Sequence, residues 1–245
     1  MLLPPGLILL GRRLNILHRY EPTDEVFFVQ NAGAAAAGTG LNKSSIIQKV
    51  SLAQVEPFSN QSDASGQVNV TVVPSNPTVV NPNGAANYRG QIIYMAEGAG
   101  ADNTSNLVVM NPVEPYNTTV VLNNFFGRQF SSLNDVALHP VSKDVYFVDT
   151  LYGYLQDFRP APGLRNQVYR WNDQTGAVTV VADGFVLPNG KEKLECNMCI
   201  LKYVLTLWCC GIGVAFSPDG AYAYVSDTGV NKGLWGYNYS DPASM

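Results

Sequence analysis

Asn134-Asp135-Val136-Ala137-Leu138-His139-Pro140, running on to Val145-Tyr146-Phe147-Val148-Asp149-Thr150, is the stretch that decides the fold. It returns later in the chain. Leu187-Pro188-Asn189-Gly190 opens the second copy, which resumes as Val214-Ala215-Phe216-Ser217-Pro218-Asp219-Gly220 and ends Ala223-Tyr224-Val225-Ser226-Asp227-Thr228. With residues 191–213 set aside, the copies align without a gap over 17 positions, and seven are identical: Asn, Val, Ala, Pro, Tyr, Asp and Thr. Each copy reads as a short strand, a Pro-containing turn and a second strand rich in β-branched and aromatic residues. Recurrence of Asp149 and Asp227 at one repeat position favours a structural role for them. His139 stands where the other copy has Ser217, which argues against catalysis by that imidazole.

Strand pairs lie between and around the copies. Gln167–Trp171 leads through a polar turn into Val178–Val181, and Asn106–Met110 leads to Thr118–Leu122. Weaker echoes of the second strand are Glu25–Val29 and Gln91–Met95. A set of about four strands thus repeats, with 55 residues from Asn134 to Asn189. That is near the period of a propeller blade lengthened by loops. A β-sandwich has regular strands but does not repeat Asn, Pro and Asp-Thr in register. The expected fold is therefore all-β, with about four blades present. Ala34–Ala37, held between glycines, is too short to nucleate a helix, and residues 31–40 are expected to be a loop.

The 245 residues carry 15 Lys and Arg against 19 Asp and Glu, a formal charge of −4, and only 14% are charged. This weakly acidic chain lacks the basic face that nucleic acid requires. At 46% hydrophobic it is too apolar for wholesale disorder. Residues 1–19 read as an irregular N-terminus before a domain at 20–245; Arg12 and Arg13 follow the apolar run instead of preceding it, unlike a secretory signal. The strand-like run before Met245 is not closed by anything, so the chain is expected to be incomplete at both ends. Six N-x-Ser/Thr sequons, at Asn42, Asn60, Asn69, Asn103, Asn117 and Asn238, hint at a secreted glycoprotein.

All four cysteines, Cys196, Cys199, Cys209 and Cys210, fall inside the interruption at 191–213. A zinc site would need two adjacent cysteines to share a tetrahedron, which is awkward. Met198 to Phe216 is 19 residues with one charge, long enough for a bilayer. A span cannot readily divide two strands of one blade, however, and no membrane association is expected. A lid is a third reading. The favoured one is a retained intron. Gly190-Lys191 can be encoded with a GTAAG donor, Leu205-Thr206 with a CTGAC branch point and Ile212-Gly213 with a terminal AG. Its removal takes out 23 codons, keeps the frame and restores the repeat.

With the gap closed, Leu-Pro-Asn189-Gly190-Val214-Ala-Phe-Ser-Pro-Asp-Gly and Ser131-Ser132-Leu133-Asn134-Asp135 resemble the senescence-marker-protein/gluconolactonase family, most of all the fungal lactonohydrolases. Pro22–Asn31 and Tyr94–Gly98 fit the same pattern, so the resemblance covers about residues 20–190 and 214–240. It implies a partial six-bladed β-propeller with a divalent cation, usually Ca2+, in the central channel. It assigns Asn134 and Asn189 as metal ligands. An early Glu, sought near Leu17–Glu21, is not placed, and a late Asp would lie past Met245. Asp135 is a candidate to orient Asn134 from behind. Calcium accepts carboxamide oxygens, and a cation at the axis can polarise a lactone carbonyl; Asn is equally a common turn residue. The implied activity is calcium-dependent hydrolysis of sugar or aldono-lactones, with a small-molecule substrate. Alternatives are a non-enzymatic propeller that only binds and a phosphotriester hydrolase. With two of four ligands missing or unassigned, the chain is expected not to hydrolyse lactones at a useful rate.

Overall fold

The computed structural model describes residues 17–20, 22–31, 45–54, 68–188, 213–227 and 233–238, and strands dominate them. The first sheet holds β1 (Leu17–Tyr20), β2 (Glu25–Asn31), β3 (Ser45–Ser51) and β4 (Thr71–Val72). The second holds β5 (Pro82–Tyr88), β6 (Gln91–Ala96), β7 (Asn106–Met110) and β8 (Thr118–Leu122). After a small hairpin of β9 (Asn124–Phe125) and β10 (Arg128–Gln129), the third sheet holds β11 (Leu133–Leu138), β12 (Val145–Asp149), β13 (Gln167–Trp171) and β14 (Val178–Ala182). The fourth is formed, among the described residues, by β15 (Val214–Phe216), β16 (Tyr222–Asp227) and β17 (Gly233–Asn238). Strand order in every sheet follows chain order and all pairs are antiparallel. The result is a series of four up-and-down meanders, a propeller-like arrangement.

Second strands such as Val145-Tyr146-Phe147-Val148 are apolar without alternation because both their faces are covered. In β6, Ile92 and Tyr94 pack toward the first sheet, while Ile93 and Met95 pack toward the third. In β12, Val145 and Phe147 join the second sheet's core and Tyr146 and Val148 join the fourth's. Three apolar layers thus lie between four sheets. The last strands, β8 and β14, carry Thr and Val and are largely part-exposed. Contacts between sheets concentrate on the first strands, β5, β11 and β15, which form the inner row.

Most sequence expectations match this arrangement, with differences at the ends of elements. Leu17–Arg19, expected to be irregular, instead form β1 together with Tyr20 and pair with Glu25–Phe28 of β2, from Leu17 opposite Phe28 to Tyr20 opposite Glu25. The backbone groups on that edge of β2 require a partner whatever the side chains are. The hairpin at 124–129 turns through Phe126 and Gly127, both at positive φ, and Tyr152–Leu155 forms a short helix α1. The cysteines, residues 191–212 and most of the 31–40 loop lie outside the described residues. No helix among the described residues is long and apolar enough to cross a membrane.

Candidate functional site: an oxygen site on the inner strands

β11 begins out of step with β12. Leu133 lies opposite Asp149 and Val136 opposite Phe147, so three steps on one strand match two on the other. This is a β-bulge with one extra residue, a device that re-aims a side chain. Leu133 and Val136 both enter the core shared with the second sheet. Asp135 turns the other way: its Oδ2 accepts the N–H groups of Gly213 and, at 3.1 Å, Val214, at the start of the fourth sheet. Asn134 is the residue left over, committed to neither neighbouring sheet. It is 6% exposed, and its carboxamide makes no hydrogen bond among the described residues. A carboxamide so placed, without a protein partner among the described residues, is open to water or to a ligand.

The same step recurs in the second sheet. There Pro82 faces Ala96 and Ala85 faces Tyr94, leaving Asn83 and Gly84 in the bulge. In the fourth, Pro188 bridges Asp227 and Val214 pairs with Val225. Between those two pairings lie Asn189, Gly190 and the 191–213 interruption, and Asn189 itself lies outside the described residues. Sequence reading missed the second-sheet copy, although Pro82-Asn83-Gly84 repeats Pro188-Asn189-Gly190 letter for letter. Neighbouring bulges touch: a Cβ on Gly84 would stand 2.4 Å from the Asn134 carbonyl oxygen and 2.6 Å from the Asp135 Cα.

The two recurrent aspartates hold the approach to each bulge. Asp149 accepts the N–H of Ser131 at 2.9 and 3.0 Å and that of Ser132 at 2.9 Å. Asp227 accepts those of Val186 at 2.9 Å and Leu187 at 2.8 Å. Burial pushes both Asp135 and Asp149 up to about 6, against the opposing pull of their amide donors. Arg159 binds the same loops. Its Nε donates to the Ser131 carbonyl, Nη1 to Gly100 and Asn103, and Nη2 to Phe130 and Gln129, so all five N–H groups have acceptors. Burial lowers its pKa, offset by the charge of Asp149. Ser132 Oγ donates to Glu97 Oε1 at 2.9 Å, linking the second and third sheets at this end.

Asp135 therefore bonds the backbone of the next sheet, and no bond joins it to the Asn134 carboxamide. His139 stands away at the far end of β11. Its Nδ1 accepts the N–H groups of Val141 and Ser142, which leaves Nε2 to donate to the Gly220 carbonyl at 3.1 Å. Glu21, considered for the early ligand, lies outside the described residues, as does the His18 side chain. Among the described residues no three His, Cys, Asp or Glu side chains gather where they could hold a metal ion. The oxygen donors on offer at the bulges are carboxamides, which suit a hard cation such as Ca2+.

No protein-family model matches the chain. Lactonohydrolase oryL of Aspergillus oryzae is 26% identical over 156 residues, which cover 61% of this chain and 30% of that protein. Among solved structures, a gluconolactonase of Xanthomonas campestris superposes with a TM-score of 0.61 at 14% identity, covering 98% of this chain and 62% of the other. A structural-genomics target assigned as a gluconolactonase gives 0.60 at 19% identity, covering 94% and 61%. An auxiliary nutrient binding protein of Bacteroides ovatus gives 0.53 at 10%, covering 100% and 43%. The chain thus spans under a third of the curated relative and about three-fifths of the gluconolactonase structures.

Proposed function

We propose, because this chain is kin to the gluconolactonase and lactonohydrolase family in both sequence and fold, that it derives from a calcium-dependent lactone hydrolase acting on sugar or aldono-lactones. In this reading the four sheets are blades of a six-bladed propeller and the bulges line its axis. The observation that supports it most is Asn134: a buried residue whose carboxamide has no hydrogen bond among the described residues, held out of both neighbouring cores by a bulge. Asn134 and Asn189 would hold the cation by their carboxamide oxygens. A divalent cation so bound supplies Lewis-acid polarisation of a lactone carbonyl.

The chain's own groups supply rigidity. Asp149 and Arg159 fix Ser131 and Ser132 ahead of Asn134, and Asp135 fixes the backbone that follows Asn189 and its insertion. Only two of the four ligand positions are matched, and the interruption enters one bulge directly. Hydrolysis by this form is therefore at most slow. We take 191–213 as intron-derived and the mature protein as secreted; the exposed sequons Asn69, Asn103 and Asn117 leave room for glycans. Transcript sequencing across Gly190–Val214 tests the first. A mass shift on glycosidase treatment after expression in a secreting host tests the second.

Acid release from an aldono-lactone, followed with a pH indicator in calcium and in EDTA, tests the function. The expected result for the 245-residue chain is no acid release above spontaneous hydrolysis, with calcium-dependent, EDTA-sensitive release only in a form that lacks 191–213 and extends to the length of the lactonohydrolase relatives. EDTA-sensitive acid release from the 245-residue chain would overturn the expected inactivity, and calcium-independent release from the extended form would overturn the reading. The second reading is a propeller that binds without turnover, favoured by the likeness to a nutrient binding protein. Calcium binding and lactone binding with no acid release in any form would support it.

A further inference from the structure

We infer that Asn83 is a carboxamide donor beside Asn134 at the same cation site, an inference that rests on the reading just given. Strand alternation singles it out. Pro82 and Ala85 pair with Ala96 and Tyr94, two residues apart on β6 and both in the core shared with the first sheet. Directly paired residues share a face, so Pro82 and Ala85 face one way although three residues apart. One of the two between them is extra. Gly84 faces the third sheet, because its Cβ would run into Asn134 and Asp135. Asn83 is left over, as Asn134 is one sheet on. It is only part-buried and makes no side-chain hydrogen bond among the described residues. Asn is disfavoured in strands, and no local turn bond explains it here.

Distance permits convergence. Gly84 touches the Asn134 backbone, which brings the two asparagine Cα atoms within about 10 Å of each other. Two carboxamides that share one calcium can span up to roughly 11 Å between Cα atoms, given metal–oxygen bonds of about 2.4 Å. A rule follows for the ligand set: the extra residue of the bulge on each inner strand supplies one oxygen. Asn83 and Asn134 are then two successive uses of one backbone device.

The test is calorimetric titration of Ca2+ into the full chain and into Asn83→Ala, Asn83→Asp and Asn134→Ala, with circular dichroism to establish folding. Asn83→Ala should raise the calcium Kd at least tenfold. Asn83→Asp keeps an oxygen donor and should bind at least as tightly as wild type, a rescue that a purely structural asparagine would not show. If Asn134→Ala loses binding and Asn83→Ala does not, the inference is overturned while the cation site stands. If no form binds calcium, both fall. If Asn83→Ala fails to fold, Asn83→Asp decides: tighter or equal binding supports the inference, weaker binding overturns it.

Discussion

Replacing Gly84 with alanine should damage two sheets at once. The added Cβ would stand 2.4 Å from the Asn134 carbonyl oxygen and 2.6 Å from the Asp135 Cα, where ordinary contact begins at 3.4 Å. Both obstacles are backbone, so no side chain can rotate away. One bulge must retreat by roughly 1 Å, and forcing extra volume into a packed site of this kind costs about 1–3 kcal/mol. The retreat also moves Asn134, so calcium affinity should fall together with stability. Urea denaturation of wild type, Gly84→Ala and Gly163→Ala measures the first effect; an alanine Cβ at Gly163 meets open space and serves as the control. A Gly84→Ala midpoint equal to that of wild type, with unchanged calcium binding, would refute the stacked-bulge reasoning.

Asp149→Ala should cost several kcal/mol, since it strands two buried amide donors at about 1–3 kcal/mol each; thermal melts check this, with Asp227→Ala as the parallel case in the fourth sheet. The pKa of Asp149, raised by burial to about 6, makes its contribution greatest below about pH 4 and lost as pH rises through 6, by roughly 3 kcal/mol; urea midpoints at pH 4.5 and 7.5 should show the acid side favoured by this group, and Asp149→Asn should remove its share of the slope. Deleting 191–213 puts Gly190 where Gly213 now donates to Asp135, and shortening the connection should stabilise the fold by about 2 kcal/mol without restoring full lactone hydrolysis. Arg89→Ala should leave the thermal midpoint close to that of wild type, because the guanidinium that meets Asp173 is exposed and screened by solvent.

The third and fourth strands were legible in composition: Asn106–Met110, Thr118–Leu122 and Gln167–Trp171 fall where it put them. Inner strands were harder. β5 reads Pro-Asn-Gly-Ala-Ala-Asn-Tyr, a run with turn-forming residues and little β propensity, because a bulge and a neighbouring backbone shape it. Asn134 was legible as a site candidate, yet its exclusion from both cores depends on register and could not be read from spacing. The role of Asp135 depends on Gly213 and Val214, 78 and 79 residues away, across an interruption that hides the pairing. Arg159 carried no motif at all; five carbonyl and amide oxygens from two segments, 100–103 and 129–131, define it.

The most direct measurement is a residue-resolved NMR titration of the isotopically labelled chain with Mn2+, a paramagnetic stand-in for Ca2+, followed by competition with Ca2+. Signals from Asn83 and Gly84, from Asn134 and Asp135, and from Asn189 and the Gly213–Val214 amides should broaden first. Excess Ca2+ should restore them. Broadening centred on exposed carboxylates such as Asp173 or Asp219, with the bulge signals untouched, would contradict the claim that these inner-strand asparagines hold a cation.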